Sequence, residues 1–263
     1  MRQFILPEDW DGGPSCLIEG GRARYIAKVL RLAPGESFPA RDAGGRLRAC
    51  TVLESSPGRV ILSVSAGSAG IRSEEEYRPL SIPRIILIQG LPKGAKMDLV
   101  VRQATEAGVA VILPLLSARV LEKGDRGGGA RISRWERIVR EALQQSGSGV
   151  RTEVLEPMSL GDLPAVLEAS GFSSSDPGIL LHETPLAQSS MHEYLTGTPE
   201  SVALCVGPEG GFAQDEVDFL LRRGFKPLRL AGAILRAETA ALYAVAAAQI
   251  ILSERLSWIP KPP

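Results

Sequence analysis

The sequence predicts a mixed α/β protein of two domains, a small β-barrel followed by a larger α/β domain built on a parallel sheet. Three observations predict it. Short alternating or apolar runs separated by turn residues occupy the first seventy positions. From residue 84 onward, near-continuous apolar strands alternate with segments of helical periodicity, as in a parallel sheet covered on both faces. Between the two lies AGSAGIRSEEEYRP (66–79), small, charged and without periodicity, as linkers are. The partition is therefore a barrel over residues 1–72, a linker over 73–80 and an α/β domain over 81–263.

In the first domain, RLRACTVLE (46–54) and RVILSVS (59–65) read as strands, with turns at Asp42–Gly45 and Ser55–Gly58. One helix is expected near 22–32, where Tyr25, Ile26, Val29 and Leu30 share a face. In the second domain RIILIQG (84–90) is a buried strand. A helix over 95–107 follows, with Met97, Val100, Val101 and Ala104 on one face and Gly108 as its stop. VAVILPL (109–115) is the next strand. Ser133-Arg134-Trp135-Glu136 has the form of a capping box, so a helix is expected to begin there and carry Trp135, Ile138, Val139, Ala142 and Leu143 inward. GILLHE (178–183), SVALCVG (201–207) and KPLRLAG (226–232) are further strands, and an Ala-rich helix spans 237–255.

Composition narrows the function classes. Of 263 residues, 44% are hydrophobic and 23% charged, as in ordinary globular proteins. No apolar run approaches a bilayer span, and MRQFILPEDWDGG lacks the order of a signal peptide, so the cytoplasm is the expected location and no membrane partner is expected. Cys16, Cys50 and Cys205 are odd in number, far apart and without a C-x-x-C, and His182 and His192 lie far from all three. Neither a disulfide framework nor a metal site is expected. Formal net charge is zero, but residues 1–72 hold ten Lys/Arg against seven acids, and nine of the ten are Arg, the better phosphate ligand. That excess suits RNA binding and suits a solvated face equally well.

Ligands of open α/β sheets bind beyond the carboxyl ends of strands. Three such ends stand out: Leu181-His182-Glu183, Val206-Gly207-Pro208-Glu209-Gly210-Gly211-Phe212, and Leu230 through Thr239. The glycine loop permits close approach to a ligand, or is simply a tight turn. It has no Gly-Lys-Ser/Thr and no Gly-x-Gly-x-x-Gly, which excludes a Walker loop and the dinucleotide fingerprint. Glu238 and Thr239 suit a helix start through dipole and capping. Arg236 opposes that dipole and so needs a partner: Glu209, Glu238 or an anionic ligand. His182 reads as a satisfied loop histidine.

Gly207-Pro208-Glu209-Gly210-Gly211, followed by Leu230-x-Gly232-x-Ile234-Leu235-Arg236-Ala237-Glu238-Thr239-Ala240, resembles the RsmE family of SPOUT-class methyltransferases. The likeness extends to Lys93-Gly94-x-Lys96-Met97-Asp98, Gln103-Ala104-Thr105-Glu106-x-Gly108, Ser117-x-Arg119, Trp135-x-Arg137-Ile138, Val29-Leu30-Arg31-Leu32-x-x-Gly35 and Arg2-x-Phe4, nearly the whole chain. The sequence departs from the family pattern at Tyr25, where a histidine is usual, at Ser148 and Thr152, where an arginine and a proline are usual, and at Ala213, a usual capping serine.

The resemblance implies a PUA-like barrel and a SPOUT domain with a deep trefoil knot. It implies a homodimer that uses S-adenosyl-L-methionine (SAM) to methylate N3 of a uridine in 16S ribosomal RNA, within the assembled small ribosomal subunit. It places SAM against Leu181, Glu183, Leu204, Val206, Gly207, Pro208, Glu209, Gly210, Gly211, Leu230, Gly232, Ile234, Leu235, Arg236 and Thr239. Arg236 is expected to stabilise the developing uridine anion, with Arg2 as second choice, and Glu238 to act as base or to orient Arg236. Arg2, Arg24, Arg31, Lys93, Lys96 and Arg119 are expected at RNA. Two alternatives stay open: a SPOUT enzyme for a transfer RNA or another ribosomal site, and a catalytically silent RNA-binding assembly protein.

Overall fold

A computed structural model of the chain describes residues 4–67, 82–121, 128–183, 186–230 and 234–256. It divides into two compact units, Met1–Pro79 with Leu143–Arg151, and Leu80–Ala142 with Thr152–Pro263. The segment Leu143–Arg151 thus groups with the first unit, although in sequence it lies between the two parts of the second. Adding a side chain at Gly45 would bring its Cβ to 2.8 Å from the Gly149 carbonyl oxygen, so the Asp42–Gly45 turn and this segment are closely packed.

The first unit is a curled five-stranded sheet. Its strands are β1 (Phe4–Ile5), β2 (Ser15–Glu19), β3 (Ser37–Arg41), β4 (Leu47–Ser56) and β5 (Arg59–Ala66), in the order β1-β3-β4-β5-β2. β1 runs parallel to β3 and the other pairs are antiparallel. Alternating residues turn inward, so Phe4, Ile18, Phe38, Val52, Val60 and Leu62 form one core, which Ile26 joins. β4 runs two residues past its expected end, and a register shift between Val52 and Glu54 leaves Leu53 as an outward bulge. The expected helix is α1 (Gly20–Arg24) continued by a π-helical turn over Tyr25–Leu30, and it ends on Arg31 in the left-handed conformation, φ 57°. Asp42 is buried. Its carboxylate accepts from Arg48 at 2.7 and 3.0 Å and from the backbone N–H groups of Gly44 and Arg46, both at 2.9 Å.

The second unit carries a seven-stranded, all-parallel sheet. In chain order its elements are β6 (Arg84–Gly90), α2 (Lys96–Glu106), β7 (Val111–Leu116), α3 (Ala118–Leu121), α4 (Gly128–Ser146), β8 (Glu153–Val154), β9 (Met158–Ser159), α5 (Leu163–Ala169), β10 (Gly178–Leu181), α6 (Met191–Tyr194), β11 (Ser201–Val206), α7 (Gln214–Arg222), β12 (Lys226–Leu228) and α8 (Ala237–Leu256). The strand order is β12-β10-β11-β6-β7-β8, with β9 also on β7. β6 and β11 lie at the centre, and Ile85–Ile88 and Val202–Val206 are all buried, as their unbroken apolar runs require. The crossing from β12 to α8, on which the expected knot depends, passes through residues 231–233, outside the described residues.

One helix start is corrected. α4 begins at Gly128, so Ser133 is an exposed residue of its second turn and caps nothing. Trp135 and Arg134 are fixed instead by Asp98 of α2, which accepts from the Trp135 indole at 3.1 Å and from the Arg134 guanidinium. The two departures after α4 have local roles. Thr152 is buried and donates to the Val109 carbonyl at 2.7 Å, while Ser148 Oγ accepts the Val150 N–H at 3.2 Å within the turn.

Candidate functional site

The carboxyl ends of β10, β11 and β12 open into one cavity of about 340 Å³. Leu181, His182 and Glu183 line it from β10. Val206, Gly207, Pro208, Glu209, Gly211 and Phe212 line it from β11, and Leu228, Arg229 and Leu230 from β12. Ile234, Leu235, Arg236, Ala237 and Ala240 close it where the chain enters α8. Apolar walls with a few charged groups, at a volume within the range of about 300–1,000 Å³, are the form of a small-molecule site.

The glycine loop owes its shape to fixed hydrogen bonds. Gln89, at the end of β6, is fully buried and donates its amide to the Gly90 carbonyl at 2.9 Å and to the Gly207 carbonyl at 3.4 Å. A Cβ at Gly90 would lie 2.5 Å from Pro208 Cδ, so only glycine lets the loop cross the strand end. Glu209 accepts Lys96 Nζ at 2.6 Å and the Lys93 backbone N–H at 3.2 Å to each oxygen. Burial alone would raise this carboxyl, but the hydrogen bonds from Lys96 and from the backbone of Glu209 and Lys93 outweigh it and hold Glu209 below the ordinary carboxylate range. Arg119 donates to the Gly210 carbonyl, and the Gly211 N–H closes a turn onto the Pro208 carbonyl at 2.9 Å. Gly211 has φ 66°, a conformation that side chains disfavour.

Beyond the loop, Ala213 opens α7 without a capping hydroxyl. Buried Glu216, in the first turn of α7, accepts the Ala213 N–H and the Ala118 N–H, each at 2.8 Å, and so ties α7 to the chain after β7.

The expected residues divide accordingly. Leu181, Glu183, Val206, Gly207, Pro208, Glu209, Gly211, Leu230, Ile234, Leu235 and Arg236 meet in the cavity. Leu204 is buried inside β11, Gly210 presents its carbonyl to Arg119, and Thr239 lies exposed on α8; none of the three lines the cavity. Gly232 and Arg2 lie outside the described residues. Glu238, expected as a base or as the partner of Arg236, is placed elsewhere. It is buried against Val100, Gln103 and Ala104 of α2 and Leu87 of β6, and its Oε2 has no described partner. Arg236 is exposed at the cavity wall and no described residue pairs with it.

Of the residues expected at RNA, Arg24 and Arg31 are exposed in the first unit. Lys96 and Arg119 of the second unit are engaged by the glycine loop, as is the Lys93 backbone. His182, Phe212 and Ala237, which lie in the three strand ends singled out but were not expected at the cofactor, also line the cavity, as do Leu228, Arg229 and Ala240, which were not anticipated. Strand ends gave Leu228 and Arg229 a legible position, but nothing in the sequence distinguished them from other strand residues.

A model described as an RNA methyltransferase domain matches residues 78–249, and one described as an RNA methyltransferase PUA domain matches residues 18–65. Ribosomal RNA small subunit methyltransferase E of Synechocystis sp. is 31% identical over 87% of this chain and 70% of its own length. The protein of the same name from Aquifex aeolicus is 35% identical over 87% of this chain and 91% of its own. The crystal structure of a ribosomal RNA small subunit methyltransferase E from Neisseria gonorrhoeae bound to S-adenosyl methionine is 25% identical, with a TM-score of 0.77 over 95% of this chain and 98% of that one.

Proposed function

The chain belongs to the RsmE family of RNA methyltransferases, and from that premise we propose that it transfers the methyl group of SAM to N3 of a uridine in 16S ribosomal RNA of the small subunit. Its first unit is the PUA-like domain and its second the SPOUT-type methyltransferase domain. One observation carries the reading: residues of both motif loops, Gly207–Glu209 with Gly211, and Ile234–Ala237, line a single cavity at the carboxyl ends of parallel strands.

The cavity fits SAM. Its walls at Leu181, Val206, Leu228, Leu230 and Leu235 are apolar, as an adenine requires, and at Gly211 the loop has no side chain to obstruct a ligand. When bound, SAM supplies an electrophilic methyl on a sulfonium. The protein's part is to hold the uridine at that methyl, exclude water and stabilise the charge that appears as the imide proton leaves. That negative charge spreads onto the uracil oxygens. Arg236, unpaired and facing the cavity, is placed to receive it by electrostatic stabilisation. Glu238, buried between α8 and α2, serves to seat the first turn of α8 and thereby to aim Arg236. Arg24, Arg31 and the side chain of Lys93 supply phosphate attraction; Lys96 and Arg119 shape the loop.

The homodimer is supported by α8. Thr239, Tyr243, Ala246 and Ile250 form an exposed stripe at helical spacing, with Tyr243 58% and Ile250 56% exposed, a face that a second copy can cover. The assembled subunit as substrate, the knot and a cytoplasmic location complete the reading. Among the described residues, no helix is long and apolar enough to cross a membrane, and no group of three His, Cys, Asp or Glu side chains is arranged to hold a metal.

The test is transfer of label from methyl-labelled SAM to small subunits that lack the modification. Incorporation into the ribosomal RNA is expected. SAM binding with label going only to transfer RNA would move the substrate, and no SAM binding at all would leave a silent RNA-binding protein.

A further inference from the structure

We propose that Glu183 is the general base that removes the uridine N3 proton, an assignment that rests on the N3-methyltransferase reading above. The chemistry requires such a group. A neutral imide nitrogen has no lone pair free for displacement until its proton is leaving, so a base within reach of N3 lowers the barrier. Arg236 stabilises the resulting charge but, as a guanidinium, accepts no proton.

Among the described residues, two carboxylates line the cavity, Glu183 and Glu209. Glu209 is already committed. Both of its oxygens accept hydrogen bonds, Lys96 forms an ion pair with it, and those bonds hold it ionised and anchored in the loop. Moving it to accept a proton would release the loop. Glu238 is buried outside the cavity. Glu183 differs from both: it is exposed at the end of β10, lines the cavity and has no hydrogen bond or ion pair among the described residues.

Its position is also defined. Glu183 Oε1 lies 3.6 Å, and Arg119 Nη1 3.8 Å, from the point where a Cβ on Gly211 would stand. The carboxylate therefore leans over the turn of the glycine loop, near a guanidinium that is itself tied to the Gly210 carbonyl. The charged and titratable groups around it are His182 on its own strand end, Glu209 and Arg119 at the loop, Arg229 beyond β12 and Arg236 before α8. His182, its neighbour, is already in an interaction of its own.

The step balances simply. The N3–H proton passes to the Glu183 carboxylate, and the N3 electron pair forms the bond to the methyl carbon. The carbon–sulfur pair stays on sulfur, giving N3-methyluridine and S-adenosylhomocysteine. Glu183 then returns its proton to solvent.

Glu183→Gln keeps the size and removes the basicity. With modification-free small subunits, its turnover should fall about 100-fold or more, while the SAM dissociation constant by titration calorimetry stays within about twofold. The acidic limb of the wild-type pH–rate profile should vanish in the variant. Subunits carrying 5-fluorouridine, whose imide is more acidic, should recover part of the loss, because a better acid depends less on a base. Glu183→Asp should keep part of the activity and its acidic limb. Turnover within about threefold of wild type in Glu183→Gln would overturn the assignment. Equal losses of turnover and SAM affinity would also overturn it, making Glu183 a cofactor ligand. Wild type that methylates these subunits at an atom other than N3 would instead sink the reading on which the assignment rests.

Discussion

Arg236 opposes the dipole of the helix it precedes, and the structure supplies no described residue to neutralise it. A cation kept there at a cost is best explained by a charge that arrives with the reaction. Arg236→Ala should therefore lower turnover about 100-fold or more, as loss of a charge-stabilising donor does. SAM affinity by titration calorimetry should stay nearly constant, and equal losses of both would assign Arg236 to cofactor binding instead. Arg31 makes the same kind of argument through its backbone. It is the one non-glycine residue with positive φ among the described residues, a conformation that costs roughly 1–2 kcal/mol in a residue with a Cβ. Arg31→Gly should leave the urea midpoint unchanged or raise stability by up to about 1 kcal/mol. The same change should weaken RNA binding and lower the slope of log affinity against log salt by about one. Weaker folding with unchanged RNA binding would make Arg31 a structural cap. Both arginines were legible in the sequence, Arg236 because its charge contradicts its position and Arg31 only through its motif. Gly90 and Gln89 were not, because their role lies in the approach of a loop more than a hundred residues away.

At the scale of elements, the glycine loop is held by its neighbours more than by its own turn. The Lys96–Glu209 pair and the Lys93 N–H join the start of α2 to the loop after β11. Because the folded carboxyl of Glu209 is held below its ordinary value, its contribution to stability is fully present above the unfolded carboxylate pKa, about 4.3. It is lost as pH falls through the lower folded value. Urea denaturation in that acidic window should show the wild type losing stability more steeply than Glu209→Gln, with no such difference in slope near pH 7. Parallel slopes would mean that the pair does not matter to the fold. The long elements α2, α4 and α8 and the buried strands β6, β7, β10 and β11 were legible because their periodicity or apolar runs are unambiguous. β1, β8 and β9 have two residues each, too few for any period to register, whereas the strand expected over 226–232 is present as the shorter β12. α7 (Gln214–Arg222) is preceded by Ala213, which has no side-chain acceptor to cap the first turn, so the usual start signal is absent. Ser133 misled in the opposite sense: it has the capping pattern, but α4 had already begun at Gly128.

For the whole molecule, two units of different construction share one chain, and each matches its own domain model. In the proposed homodimer, a second copy covers the exposed stripe of Tyr243 and Ile250 along α8 with a surface of matching chemistry by symmetry. Tyr243→Asp should shift the sedimentation coefficient from dimer to monomer at micromolar concentration, whereas a wild type that sediments as monomer would contradict the dimer. The most direct test of the function as a whole is reverse transcription across 16S RNA after wild-type protein and SAM have acted on modification-free small subunits. A methyl on N3 blocks Watson–Crick pairing, so a single strong new stop at one uridine is predicted, absent with Arg236→Ala. Methyl incorporation with no stop at any uridine would contradict N3 as the target.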